Sequence, residues 1–164
     1  MAGEAAITKV KNALKVWLDG GAIGATTEID RPFDQSHGDE DLTTPIVNIR
    51  CQQTNYNVRG YNNGWQHESI IMFDIITRSS TLLTIDDKQA LIAAKIVARL
   101  AARDTSPGSI GLMLEFCDPV AMGDTGDDGN LSDQGVMTFQ WRMTYLTPIN
   151  DFIQIFAVTG ELIP

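Results

Sequence analysis

Apolar side chains recur along this chain with two periods, one of three to four residues and one of two. In residues 4–18, Ile7, Val10, Leu14, Trp17 and Leu18 form one stripe, as on a helix lying against a core. Lys9, Lys11 and Lys15 lie off it, and Gly20 or Gly21 is placed to cap its end. "TIDDKQALIAAKIVARLAAR", residues 84–103, predicts a second helix. Thr84 is its N-cap with Asp87 three residues on, and Ile92, Ile96, Val97 and Leu100 form its stripe. Ala93, Ala94 and Ala101 allow close approach, while Arg99 and Arg103 suit the C-terminal end of the dipole.

Period two marks the strands. In "PIVNIRCQQ", residues 45–53, Val47, Ile49 and Cys51 share one face, and Asn48, Arg50 and Gln52 the other. The polar stretch "TNYNVRGYNNGW" predicts the turn of an antiparallel hairpin leading into residues 65–80. "GLMLEFCDPV", residues 111–120, and "GVMTFQWRMTYLT", residues 135–147, give two more strands. The expected fold class is α+β. It has an antiparallel four-stranded sheet with two helices packed on one face, in the order helix, strand, strand, helix, strand, strand. Residues 1–147 form a single domain, and 148–164 a C-terminal tail or extra strand. Residues 20–44 form a long polar connection with an acidic tip at Asp39, Glu40 and Asp41.

The strand "WQHESIIMFDIITRSS" does not fit a sheet covered on one side only. Ile71, Phe73 and Ile75 make a good core face. On the opposite face, Ile70, Met72 and Ile76 are also apolar, with Asp74 among them. Helices on one side leave that second face to be covered by the C-terminal tail or by another subunit. Asp74 is either a contact to an arginine or backbone amide across that boundary, or an exposed position on a wet face.

Charge narrows the classes. The 164 residues carry a net charge of −9, unevenly placed. Residues 1–103 hold 12 acids and 11 bases, whereas residues 104–164 hold 9 acids and one base, Arg142. Phosphate-gripping proteins need a basic footprint, so the chain is not expected to grip nucleic acid. An acidic wall past which DNA slides remains compatible. No apolar run approaches the ~20 residues of a membrane helix, and the N-terminus lacks the apolar segment of a secretory signal. Synthesis inside the cell is expected, with Cys51 and Cys117 as reduced, buried thiols.

No enzymatic site emerges. Asp124, Asp127, Asp128 and Asp133 crowd a glycine-rich hairpin tip, but their spacing does not match a calcium loop, and they read as solvated acids. His37 and His67 have no nearby ligand pair for zinc. "GGAIG" follows a helix rather than a strand, so it does not serve as a phosphate cradle. No catalytic residue, cofactor or metal is expected.

Three features together resemble the tail terminator (tail completion) proteins of long-tailed bacteriophages and the related head–tail neck proteins. They are the short N-terminal amphipathic helix, the strand "SIIMFDIITRSS" running into "DDKQALIAAKIVARLAAR", and the late strand "VMTFQWRMTYLT" after an acidic tip. The resemblance covers residues 4–147. It implies a structural virion protein of the tail or neck, assembled in the host cytoplasm, that forms a hexameric ring. Such a ring caps the tail tube, ends its polymerisation and offers a surface to the head connector, while DNA passes through the lumen ungripped. On that reading Ile70, Met72, Asp74 and Ile76 form the subunit contact. Asp39, Glu40, Asp41, Asp124, Asp127 and Asp128 then face the lumen or a partner. The alternative class is a small non-enzymatic binding module or accessory subunit that oligomerises through the same face.

Overall fold

The computed structural model describes residues 5–31, 44–59, 64–78, 84–102, 110–124 and 134–163. The chain runs α1 (Ala6–Asp19), β1 (Thr26–Ile29), β2 (Ile46–Arg59), β3 (Gly64–Arg78) and α2 (Ile85–Ala101). After a 3-10 turn at Ile110–Leu112 come β4 (Phe116–Asp124), β5 (Gln134–Pro148), β6 (Ile155–Phe156) and β7 (Leu162–Ile163).

All seven described strands join one sheet in the order β1-β2-β3-β5-β6-β7, with β4 also paired to β5. The sheet is mixed, because β1 runs parallel to β2 while the other pairings are antiparallel. This overturns the expected four-stranded antiparallel sheet. The missed strands have two to four residues, too few for a period of two to register. β1 lies inside the supposed polar connection, where Thr27 and Ile29 pair with Val47 and Ile49. β6 and β7 lie in the C-terminal tail, which therefore extends the sheet from the edge of β5. The tail does not lie across the second face of β3.

The hairpin also exceeds its expected length. β2 continues to Arg59 because the residues read as a turn stay in register, with Thr54 opposite Ser69 and Tyr56 opposite His67. "GLMLEF" shortens instead. Its first residues form the 3-10 turn, and Leu114 is buried just before β4 begins.

The helices pack on one face as their stripes require. α1 lies over β1 and β2, and α2 over β3 and β5. Val10, Leu14 and Leu18 of α1 and Ile92, Ala93, Ile96 and Leu100 of α2 are buried. They meet Val47, Ile49, Ile71, Phe73, Ile75, Phe139, Trp141 and Met143 in a single core. Phe73 and Phe139 stack at its centre with ring centroids 5.0 Å apart. Lys11 departs from the pattern, because it is buried and its ammonium pairs with Asp30 beyond β1. Val97 departs the other way and is exposed, while Gln89 is buried and donates to the Ile75 carbonyl.

Thr84 caps α2 as its sequence predicts, accepting the Asp87 amide at 3.2 Å. The helices clamp each other through Trp17 and Arg99. The indole N–H donates to the Arg99 carbonyl at 3.1 Å, and Arg99 Nε returns a bond to the Trp17 carbonyl at 3.0 Å. The guanidinium lies 3.7 Å from the indole centroid. Gly21 is required beside it, since a Cβ there would approach the Arg99 side chain to 2.9 Å. Cys117 is buried, Cys51 half-buried, and they form no disulfide.

Candidate functional site

The face of the sheet turned away from the helices is the candidate site. The registers define it. Along β3 it carries Glu68, Ile70, Met72, Asp74 and Ile76. β2 places Arg50 beside Met72 and Asn48 beside Asp74. β5 places Arg142 beside Ile70, Gln140 beside Met72 and Thr138 beside Asp74. No described helix crosses this face.

Its four expected contact residues divide into two pairs. Asp74 and Ile76 are buried within the subunit, at 0% and 2% exposure, whereas Ile70 and Met72 are half-buried. Ile76 packs with Ile46 and Val136 in a small apolar cluster separate from the main core.

Asp74 takes its arginine from its own chain. Arg50 Nε donates to one carboxylate oxygen at 2.5 Å, and Arg50 Nη2 to the other at 3.0 Å. Thr138 Oγ1 donates to the same carboxylate at 2.7 Å. A bidentate pair with an added hydroxyl offsets the cost of removing the carboxylate from water. The Arg50 pKa is raised further above its ordinary value by the hydrogen bond to Asp74. Asn48 is buried next to this pair and bonds the Arg31 backbone through both ends of its amide, at 2.9 and 3.1 Å. This polar row locks β1, β2, β3 and β5 into one register.

Beyond the row, Ile70 and Met72 are half-buried, and no described helix lies over them. Ile70 and Met72 form an apolar patch, with Arg50, bound to Asp74, on one side and Arg142, flanked by Asp118 of β4, on the other. Arg142 is half-exposed and lies 3.5 Å from Glu68, too long for a tight ion pair. The face presents apolar surface with ion-paired side chains at its margins. Among the described residues it holds no nucleophile–base pair.

The opposite face, beyond the ends of the helices, holds a cluster of aromatic and polar side chains. His67 is buried, stacks on Tyr145 at 4.8 Å and shares a 2.7 Å hydrogen bond with Thr147. Phe152 meets His67, Trp65 and Tyr56 with ring centroids 5.3, 6.0 and 5.7 Å away. Its carbonyl accepts the first amide of α1 from Ala6 at 2.8 Å, and Trp65 Nε1 donates to the Ile149 carbonyl at 3.1 Å. Burial lowers the His67 pKa to about 4, so the ring is neutral at physiological pH. Burial likewise raises the Tyr145 pKa.

The sequence contained the signal for the Arg50–Asp74 pair: an arginine and an aspartate on the outward faces of two neighbouring strands. It did not contain the register that brings them together. Nothing local in "DFIQIF" announced that Phe152 would cover His67. Of the expected acidic loops, Asp124 ends β4, while Asp39, Glu40, Asp41, Asp127 and Asp128 lie outside the described residues. Among the described residues, no three His, Cys, Asp or Glu side chains gather as a metal site would require. No described helix is long and apolar enough to cross a membrane. No family model matches the chain, and no curated protein matches it significantly.

Proposed function

We propose that this chain is a structural subunit of a long phage tail, a tail terminator that forms a ring on the end of the tube. The observation that carries this reading is the open sheet face, with Ile70 and Met72 half-buried between Arg50 and Arg142. A strand with apolar residues on both faces is expected where both faces are covered, and the described helices lie on one side only. A neighbouring subunit supplies the second cover. The pattern of elements that resembles tail terminators supports the choice of assembly. So does the lack of a basic footprint, which suits a lumen through which DNA moves without being held. In this reading the ring is hexameric, one side meets the tube protein, the other meets the head connector, and the protein resides in the virion.

The test is negative-stain imaging of the protein alone and mixed with tail tubes, beside sedimentation equilibrium. Six-fold rings, free or seated on tube ends, are the expected result. A dimer that never engages tubes would favour the oligomerising binding module. That second reading has one observation of its own, a cleft of about 300 Å³ lined by Glu115, Leu146, Phe156, Ala157, Val158 and Gly160.

A further inference from the structure

We propose that His67 and Phe152 form an acid-released clasp. It holds the start of α1 and the connection after β5 against the β2–β3 hairpin, and lets both go when the imidazole takes up a proton. The proposal stands apart from the ring reading and applies equally to a lone subunit.

Three parts of the chain meet at the clasp. α1 begins at Ala6 without a side-chain cap, and its first amide donates instead to the Phe152 carbonyl at 2.8 Å. Phe152 lies in the connection between β5 and β6, which belongs to no strand. Its ring is 48% exposed and is seated by other rings, with His67 and Trp65 edge-on at 85° and 78° and Tyr56 nearly parallel at 20°. Trp65 also fastens the other end of the connection through its bond to the Ile149 carbonyl. Ile149, Phe152 and Ile153 lie outside the main core, so the connection can leave without dismantling it.

His67 is the group on which this seat depends. The ring is 3% exposed, lies at 12° to Tyr145 beneath it, and has Tyr56 at its edge 4.9 Å away. Nε2 shares its hydrogen bond with Thr147 Oγ1, and the other ring nitrogen has no protein partner among the described residues. The titratable groups that meet the ring are Tyr56 of β2 and Tyr145 of β5, and both phenols are neutral at and below pH 7. Glu68, next to it in β3, points to the other face of the sheet. The first turn of α1 carries no acid. Asp151 is the one charged group of the connection, and its carboxylate already accepts the Ile153 amide at 2.7 Å.

An imidazolium in this setting has no carboxylate and little water to offset its charge, and burial holds the pKa of the ring down at about 4. Opening the clasp hydrates the ring and returns it to the ordinary value near 6.5. The open form then binds the proton more tightly, so acid favours it. Between pH 7 and pH 5 the opening equilibrium gains about twenty-fold.

The experiment is native-state hydrogen exchange on the full chain at pH 7 and pH 5, with intrinsic exchange rates corrected for pH. The Ala6 amide and the Trp65 indole N–H report the clasp, and the Phe73 and Ile75 amides report the core. The clasp reporters should be less protected than the core at both pH values and insensitive to low urea, as in a local opening. Their protection should fall about twenty-fold from pH 7 to pH 5. In His67→Phe, which keeps a ring in place and takes no proton, that fall should vanish. Phe152→Ala should leave both reporters poorly protected at either pH while the core stays protected, which tests the clasp even if the His67 variant folds badly. Reporters that exchange only together with the core, with the same urea dependence, would overturn the clasp as a separate unit. A fall absent from the wild type, or persisting in His67→Phe, would overturn His67 as its trigger.

Discussion

The two faces of β3 present the same strand solving two different problems. On the helix side, Ile71, Phe73 and Ile75 are fully buried, and their neighbours from β2, β5, α1 and α2 are apolar. On the other side, positions one residue away carry Ile70 and Met72 half-buried, Asp74 locked to Arg50, and Glu68 near Arg142. The first face derives its stability from volume and close packing. The second is held by a buried ion pair, and its remaining apolar side chains are half-buried. If the proposed ring contact uses the second face, substitutions on the two sides should differ in kind, one set acting on stability and the other on assembly.

The largest effect is expected on the covered face. Phe73→Ala removes one ring of the central stack and leaves a cavity, which should cost about 3–5 kcal/mol in urea denaturation. Assembly of the fraction that remains folded should be unaffected. A loss below about 1 kcal/mol would mean that the core is not centred there.

The ion pair comes next. Arg50→Ala leaves the Asp74 carboxylate buried without its main partner, and should cost about 2–4 kcal/mol, less than a fully buried pair because Arg50 is part-exposed. Replacing both residues, Arg50→Met with Asp74→Leu, should recover most of that loss. A double variant as unstable as the single one would mean that the pair does more than satisfy itself.

A smaller effect concerns pH. The folded-state pKa of His67, about 4, lies below its unfolded value near 6.5, so the unfolded chain binds the proton more readily between those values. Its contribution to stability is complete above about pH 6.5 and is lost as the pH falls toward 4, with about 2 kcal/mol gone by pH 5. In a His67→Phe variant this part of the slope should disappear. If the slope persists unchanged, the acid sensitivity belongs to other groups.

How much of this was legible in the sequence follows from the range of each interaction. The stripes of α1 and α2, the alternation of β5 and the core face of β3 are patterns within a single element, and the residues they nominate are mostly those found buried. Lys11 and Val97 broke the helical pattern for tertiary reasons: the first reaches Asp30 beyond β1, and the second has no strand beneath it. β1, β6 and β7 owe their conformation to strands far away in the chain, and two to four residues carry no period of their own. The long β2–β3 hairpin was hidden by composition, since Asn, Thr and Tyr near a glycine-rich tip suggest a turn until Thr54 and Tyr56 find Ser69 and His67 across the ladder. At the site, the unusual second face was visible as a pattern. The burial of Asp74 and Ile76, which leaves Ile70 and Met72 as the half-buried pair of the four, depended on the register.

The measurement that bears most directly on the division of the two faces is assembly of the Met72→Glu variant, set beside Val16→Glu as a control. Val16 is 69% exposed on α1, remote from the open face. Both variants should unfold within about 1 kcal/mol of the wild type, as surface changes do. Sedimentation and imaging on tail tubes should then separate them, with Val16→Glu forming rings and Met72→Glu remaining a folded monomer that leaves tube ends bare. Rings of normal size from Met72→Glu would contradict the account and move the subunit contact off the open face.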